Sequence, residues 1–515
     1  MLTFLARRLV ATVIVLLVAS YIVYVLSADA GDPLAALRTS TSRNKAELIN
    51  LRIAQLDLNV PAYLRYFIWL GGILAGFVGH FTLGKSVAGQ DVTDMVGSAV
   101  GVTLQLLTAS FVLAIIIGIL IGITSALRQY SGYDYTVTFL SFLFFSLPSF
   151  FVAVILKAYV GIAFNNYLDN PKIAWWIYIV IPLLSGLIWM GILGGTTRRR
   201  LMIFGIATIA TFAVVLYIGA TDWFDNPQLG PVVILVLAVG FGLLVVALTT
   251  GLQNRKSLYT ALTVAVLGIP AYLIFNIGRA EEINGWILFL LALVAIGVGG
   301  LVGWLWGGYD RWQSARTGGI TAFLTAGLIV VDRFMQSWNV YSDAIANGRP
   351  IATVGSGTPD IASNTHSFWI FGLDSITHLL LPTISLMLIS LAGYSRYSRA
   401  NLLDVMNSDY IRTARAKGLN ERTVVMRHAF RNSLIPLTTI VAFDFGGLLG
   451  GAIITETVFA WSGMGQLFNT ALGPTGPDVN AIMGFFVVTG IAAVVANVLA
   501  DVAYTALDPR IRVSV

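Results

Sequence analysis

The chain of 515 residues contains no cysteine and very little charge. The missing cysteine excludes disulfide bonds, thiolate metal sites and cysteine nucleophiles. Charged residues make up only 11% of the chain, too few to cover the surface of a soluble protein of this size. The four histidines are scattered without the spacing of metal ligands, so no metal site is predicted: His80, His366, His378 and His428.

The chain is instead rich in long apolar runs, and 57% of its residues are hydrophobic. Many runs reach about 18 residues, the length that a helix needs to cross roughly 30 Å of hydrocarbon. The composition therefore predicts an all-α, polytopic membrane protein. The net charge of +6 does not indicate a nucleic-acid partner, because such an excess in a membrane protein usually lies in its cytoplasmic loops.

The first third of the chain contains three predicted spans, at about 9–27, 101–127 and 135–164. The first could be a cleaved signal peptide, but its apolar core is longer than usual, so we expect an uncleaved span. A half-polar segment, 29–99, separates the first two spans and is predicted to be extracytoplasmic. Its apolar stretch at 67–78 is too short to cross a membrane.

Six more candidate spans follow, at 173–194, 201–219, 231–250, 258–277, 286–307 and 318–335. The loops between them alternate between basic and acidic, as the positive-inside rule requires if all six cross. That rule places Arg199, Arg255 and Arg316 in the cytoplasm and Asp225, Glu282 and Ser356 outside. Three final spans, 376–395, 434–457 and 481–505, bring the total to about twelve, with both termini cytoplasmic.

The loop 396–433 between two of the last spans carries eight basic residues against three acidic ones up to Arg431, so it is predicted to be cytoplasmic. Ser408 is a plausible N-cap for a helix from Asp409 to Lys417, and Gly418 suits the left-handed position after it. Asn420 can cap a second helix, which Pro436 limits or kinks. The simpler interpretation is a solvated basic loop.

The loop sequences "DYIRTARAKGL" and "RHAFRNSLIPL" resemble the cytoplasmic EAA signature of ABC importer permeases, in the variant found in oligopeptide, dipeptide and nickel permeases. Further matches are "GGLLGGAIITETVFAWSGMGQL" and "LADVAYTALDPRIR" near the end, and "GDPLAALR", "SLPSFFV" and "LGKSVAG" near the start. The resemblance covers about 1–165 and 370–515 and is to the B-type subunit. Arg412 stands where the general signature has Glu, as is typical of the peptide subclass.

The resemblance implies a type I importer core of six spans, divided between 1–169 and 371–515 and interrupted by an inserted membrane region at 170–370. It implies a prokaryotic plasma-membrane protein that pairs with a sister permease, two ATPase subunits or domains and an extracytoplasmic binding protein. The transported solute would be a peptide, with nickel or another small solute as the alternative. This chain would not be an enzyme and would bind no cofactor, because ATP and Mg would lie on the partner ATPases.

The resemblance also implies that the helix in this loop couples the spans to the ATPase. The residues expected to do so are Asp409, Tyr410, Arg412, Thr413, Ala414, Arg415, Ala416, Lys417, Gly418 and Leu419. Ala414 and Ala416 are expected to keep the helix slim enough to enter a groove of its partner.

A different motif, "GHFTLGKS" at 79–86, has the letters of a phosphate-binding loop. Such a loop needs a buried strand before it and a helix directly after it. The glycine-rich stretch before it makes a poor strand, and Gly89 interrupts the helix start. The predicted topology places Lys85 on the outer side, where there is no ATP pool. We therefore interpret the match as accidental.

Polar residues within the spans are candidates for the translocation path, because charges in a membrane usually face protein or a wet cavity. Asp444, Glu456 and Asn497 are the candidates, with structural hydrogen bonding between helices as the alternative. The closely spaced Gly118 and Gly122 are interpreted as packing residues. A secondary carrier remains a rival class, but carriers show internal repeats and the EAA-type loop occurs once.

Overall fold

A computed structural model describes residues 2–277, 283–345, 348–364, 367–473 and 476–507 of the chain. These residues form helices and loops, and the β-structure among them is one isolated bridge between Lys85 and Asp91. Nine helical stretches in the described residues are long and apolar enough to cross a membrane. Because a bilayer core offers no water to bond exposed backbone groups, this is the expected solution for a spanning chain. The prediction of an all-α, polytopic membrane protein is confirmed.

The first span is followed by a small helical unit that packs against the C-terminal half of that span. Tyr24 of the span is buried against Tyr66 and Trp69, and the Tyr66 hydroxyl bonds the Ser20 hydroxyl at 2.7 Å. The predicted half-polar segment is therefore an ordered unit of short helices. The helices are α1 (Leu2–Asp29), α2 (Ala35–Thr39), α3 (Lys45–Gln55) and α4 (Ala62–Leu74), with a 3₁₀ turn at Ala75–Val78.

The next two spans form an antiparallel pair, and the second is broken. Asp91 caps the first of them by accepting the Thr93 backbone N–H at 2.8 Å. The predicted span 135–164 breaks at Pro148, which has no backbone N–H to donate and whose ring crowds the preceding turn. The elements are α5 (Val92–Leu127), α6 (Gly132–Ser146), α7 (Ser149–Ile155), a π-helical segment (Leu156–Ile162) and α8 (Ala163–Leu168).

The predicted insertion contains six long helices and two short ones. Gly299 and Gly303 let the fifth long helix approach the backbone of the sixth: a methyl group at Gly303 would lie 2.2 Å from the Ser314 carbonyl oxygen. The helices are α9 (Ile177–Leu193), α10 (Thr197–Ala220), α11 (Gly230–Thr249), α12 (Arg255–Ile277), α13 (Gly285–Gly307), α14 (Arg311–Gln336), α15 (Trp338–Ala344) and α16 (Pro359–Asn364). The first of these helices, with 17 residues, is five residues shorter than the predicted span 173–194.

Contacts at both of their ends show that α11 and α14 run antiparallel. At one end, Thr249 of α11 bonds Thr317 of α14 at 3.1 Å. At the other end, Asp332 of α14 accepts the backbone N–H groups that begin α11. Arg128, in the loop before α6, bonds the carbonyl of Ile192 at the end of α9, which connects the insertion to the basic end of the core.

The last third contains three long helices, and the first of them meets the first third along a glycine-lined contact. A methyl group at Gly122 of α5 would lie 2.6 Å from the Ser395 carbonyl oxygen, so Gly118 and Gly122 pack against another span of the same chain. The elements are α17 (Phe368–Met406), α18 (Asp409–Ala416), α19 (Glu421–Thr423), a π-helical segment (Val424–Ala429), α20 (Phe430–Phe459), α21 (Met464–Ala471) and α22 (Val479–Leu507). The total of about twelve spans stays a prediction.

We predict that the inserted region crosses the membrane six times. Single cysteines labelled with a membrane-impermeant thiol reagent test this, since the native chain has no cysteine of its own. Arg199→Cys, Arg255→Cys and Arg316→Cys should react only from the cytoplasmic side. Asp225→Cys and Ser356→Cys should react only from outside; Glu282 lies outside the described residues. Reaction from the opposite side at any of these positions would contradict the six crossings.

Candidate functional site

Helix α18 is amphipathic and is held by two buried residues on the end of the bundle that the loop charges predict to be cytoplasmic. Ile411 and Ala414, three positions apart and so on one face, are 0% and 6% exposed. They pack with Ala126 of α5 and Leu402 of α17 in one apolar cluster that also includes Val424 and Ala429. The helix therefore rests directly on two spans of its own chain.

The turn after α18 has the geometry of a Schellman motif. Gly418 has φ = +77°, the Gly418 N–H bonds the Arg415 carbonyl at 2.9 Å, and the Leu419 N–H bonds the Ala414 carbonyl at 3.4 Å. The predicted left-handed glycine is present, and nothing lies within 4 Å of where its Cβ would be. Glycine is therefore favoured at this position by its positive φ angle and not by crowding around the Cβ position.

The outward face of α18 is polar and open. Across the Gly418 turn, the Arg415 guanidinium donates two hydrogen bonds to Glu421, at 2.7 and 3.1 Å. This ion pair holds the pKa of the Glu421 carboxyl below its ordinary value. The Tyr410 hydroxyl accepts a hydrogen bond from Asn432 at 2.9 Å. The exposed residues include Asp409, Tyr410, Arg412, Thr413, Arg415, Ala416, Lys417, Gly418 and Leu419.

The structure corrects several details of the predicted loop. Ala414 faces its own bundle, so of the two alanines only Ala416 is available to a partner. The Ser408 side chain does not cap α18 but donates to the Val405 carbonyl. The helix ends at Ala416, one residue early, and α20 continues through Pro436. Asn420 does cap α19, by accepting the Thr423 N–H at 2.8 Å.

An ion pair that we did not predict from the sequence lies close to this apolar cluster, and its carboxylate is buried whereas its arginine is 28% exposed. Arg399 on α17 donates two hydrogen bonds to Asp134 on α6, at 2.7 and 2.8 Å. Asp134 also accepts the Ser125 hydroxyl from α5 and the Tyr130 N–H. Sequence analysis placed Arg399 in the loop, whereas α17 continues ten residues past 396 to Met406. The only sequence feature that pointed to this pair was Asp134, an acidic residue next to the predicted span 135–164.

Glu456, a candidate for the translocation path, is fully buried at the other end of the molecule. Its carboxylate accepts the Thr103 hydroxyl at 2.7 Å and the N–H groups of Gly465 and Gln466 at 2.7 and 3.2 Å. Those two N–H groups belong to the first turn of α21, where a carboxylate is favoured. This geometry favours the structural alternative for Glu456.

The other two path candidates lie elsewhere in the bundle. Asp444 is half-buried on α20 and faces the buried Tyr394 hydroxyl of α17, without a hydrogen bond of ordinary geometry between them. It lies twelve residues from Glu456, about 18 Å along the helix, so the two cannot share one site. Asn497 is half-buried on α22. The structure does not bring the three residues together as one constellation.

The segment "GHFTLGKS" does not fold as a phosphate-binding loop. A 3₁₀ turn precedes it, and α5 begins only at Val92, six residues after Ser86. The exposed Lys85 accepts a hydrogen bond at its carbonyl from Asn480, and the adjacent Val87 N–H donates to Asp478 at 2.7 Å. This segment therefore binds the start of α22, and burial raises the pKa of the Asp478 carboxyl that it contacts.

Comparison with known families agrees with this arrangement. Residues 188–513 match the family described as "Binding-protein-dependent transport system inner membrane component", and residues 1–107 match the N-terminal component of the same systems. The first match covers more than half of the chain. The chain therefore belongs to this family of membrane components of binding-protein-dependent transport systems. The longer family match begins at residue 188, inside the predicted insertion 170–370, so the limits of that insertion stay predictions.

Curated relatives are peptide permeases. The chain is 37% identical to the oligopeptide transport system permease protein OppB of Mycobacterium tuberculosis over 192 residues, 37% of this chain and 56% of the relative. It is 43% identical to the oligopeptide permease AppB of Bacillus subtilis over 138 residues, 27% and 43% of the two chains. The dipeptide permease DppB of Escherichia coli is 40% identical over 140 residues, 27% and 41%. The chain spans about half the length of the curated relatives it matches.

The two alanines of α18 give a matched pair of variants. Ala414→Trp should loosen α18, because forcing a large side chain into a packed site typically costs about 1–3 kcal/mol. Amide hydrogen exchange in 408–430 should then rise about tenfold or more, since about 1.4 kcal/mol corresponds to a factor of ten. Ala416→Trp, on the exposed face, should leave exchange unchanged. Equal protection in the two variants would contradict the burial of Ala414.

Proposed function

We propose that this chain is a permease subunit of an ATP-driven importer of di- or oligopeptides and forms half of the translocation pathway. Its partners are a sister permease, two ATPase subunits or domains and an extracytoplasmic binding protein. The observation that carries the proposal is α18: a short helix with a polar outer face, fixed rigidly to the spans by its inner face. The peptide substrate rests on the printed functions of the relatives.

The contacts of α18 suit a part that transmits motion. A force applied to its outer face acts through Ile411 and Ala414 on α5 and α17. The Asp134–Arg399 pair ties α6 to α17 at the same end, so three spans are joined there. Packed elements of this kind shift between discrete arrangements, which is what alternating access requires. ATP hydrolysis is assigned to separate subunits.

The Gly418 turn offers the sharpest test of coupling. Gly418→Val should cost about 1–2 kcal/mol in the left-handed region, because a β-branched side chain fits it poorly. The strain would fall on the turn that aims α18, so peptide uptake per ATP hydrolysed should fall severalfold. The measurement is uptake and ATPase rate in vesicles containing the full transporter.

Gly418→Asn is the matched control, because Asn tolerates the left-handed conformation. It should transport at close to the wild-type rate, and both variants should still co-purify with the sister permease. If Gly418→Val also transports at the wild-type rate, α18 is not the coupling element.

A second test concerns nucleotide. Lys85→Ala should leave the ATPase turnover of the assembled transporter within about twofold of wild type, because a solvent-exposed side chain away from special features contributes little. The isolated chain should bind no nucleotide tightly. Nucleotide crosslinking to residues 79–86 of the isolated chain would refute the assignment of hydrolysis to other subunits.

A further inference from the structure

Arg396 on α17 is a cation within a span whose described surroundings contain no anion. Its guanidinium carbon lies 5.1 Å from the ring centre of Phe142 and 4.7 Å from that of Phe145, both on α6. Among the described residues, no carboxylate pairs with it and no acceptor takes a hydrogen bond from it. The aromatic faces hold the cation while its five N–H donors stay available.

The register of α6 and α17 gives the level of this cation relative to Asp134. The helices run antiparallel, since Arg399 pairs with Asp134 and the Ser395 hydroxyl bonds the Ser141 hydroxyl at 2.9 Å. Phe142 and Phe145 lie eight and eleven residues beyond Asp134, so about 12 and 16 Å farther from the cytoplasmic end. These distances are about half of the roughly 30 Å of hydrocarbon in a bilayer, so a membrane whose inner edge lies at Asp134 would have the cation near its middle.

The direction of the side chain excludes the usual explanation for a cation in a span. Arginines near helix ends normally extend toward the nearest interface. Arg396 extends away from the cytoplasm, because side chains lean toward the start of their helix and α17 starts outside. It therefore does not reach the phosphates of the inner leaflet.

We propose that Arg396 lines the pathway and binds the carboxylate of the transported peptide in the cytoplasmic half of the membrane. A charge in a membrane persists where it faces protein or a wet cavity, and the two rings that contact Arg396 are each 57% exposed in this chain. A guanidinium fork matches a carboxylate with two parallel hydrogen bonds. Every unmodified peptide carries a C-terminal carboxylate, so such a site would accept peptides regardless of their sequence. This inference rests on the proposed peptide-import function.

The test compares trialanine with its C-terminal amide in vesicles that contain the full transporter. Each peptide is pre-loaded on the binding protein, and uptake is normalised to the loaded amount. Arg396→Gln should slow uptake of the free acid about tenfold, the typical effect of losing one charged hydrogen bond, and leave the amide unchanged. Arg396→Lys, which keeps the charge, should retain much of the uptake of the free acid.

Lys157→Met is the control, because this cation in a span already donates to the Val458 carbonyl at 2.7 Å. It should slow uptake of the free acid and the amide by the same factor. The proposal is overturned if Arg396→Gln leaves uptake of the free acid unchanged or slows both peptides equally. If Arg396→Gln does not assemble, equal slowing of the two peptides by Arg396→Lys overturns it. A wild-type transporter that takes up neither peptide would instead contradict the proposed function.

Discussion

The absence of water from the bilayer core is the constraint on which the rest of this structure depends. Each polar group that enters the bundle must find its partner within protein or in a wet cavity. The buried carboxylates show how the chain meets this demand: Glu456 and Asp332 accept backbone N–H groups at the starts of α21 and α11. Asp134 instead takes an arginine. Each of these carboxylates joins elements that are distant in sequence, so satisfying buried charge also fixes how the helices pack.

The same constraint divides the molecule into two functional ends. At the end predicted to be extracytoplasmic, carboxylates and backbone groups hold short helices together, as Asp478 does with the loop at Val87. At the end predicted to be cytoplasmic, the apolar cluster around Ile411 and the Asp134–Arg399 pair join α5, α6 and α17 next to α18. Because the helices are held together at both ends, α5, α6 and α17 can move as a unit when α18 is displaced. Arg396, between the two, is a charge whose described surroundings leave it open to a ligand.

The sequence predicted features that local chemistry determines. The left-handed Gly418, the cap at Asn420 and the apolar spans each follow from a few neighbouring residues. It did not predict that Ala414 turns inward or that Arg399 pairs with Asp134, because both depend on residues far away in the chain. A polar residue in a span has the same appearance in the sequence whether it lines a path or caps a helix. The sequence alone therefore did not distinguish the role of Glu456 from that of Asp444.

The central claim is that the outer face of α18 contacts the ATPase while its inner face contacts the spans. Photo-crosslinking tests it most directly, with a photoreactive amino acid placed at Ala416 or at Ala414 in the assembled transporter. We expect crosslinks to the ATPase subunit from position 416, and from position 414 only within the chain, because Ala414 is 6% exposed. Crosslinks to the ATPase from neither position, or equally from both, would contradict the account.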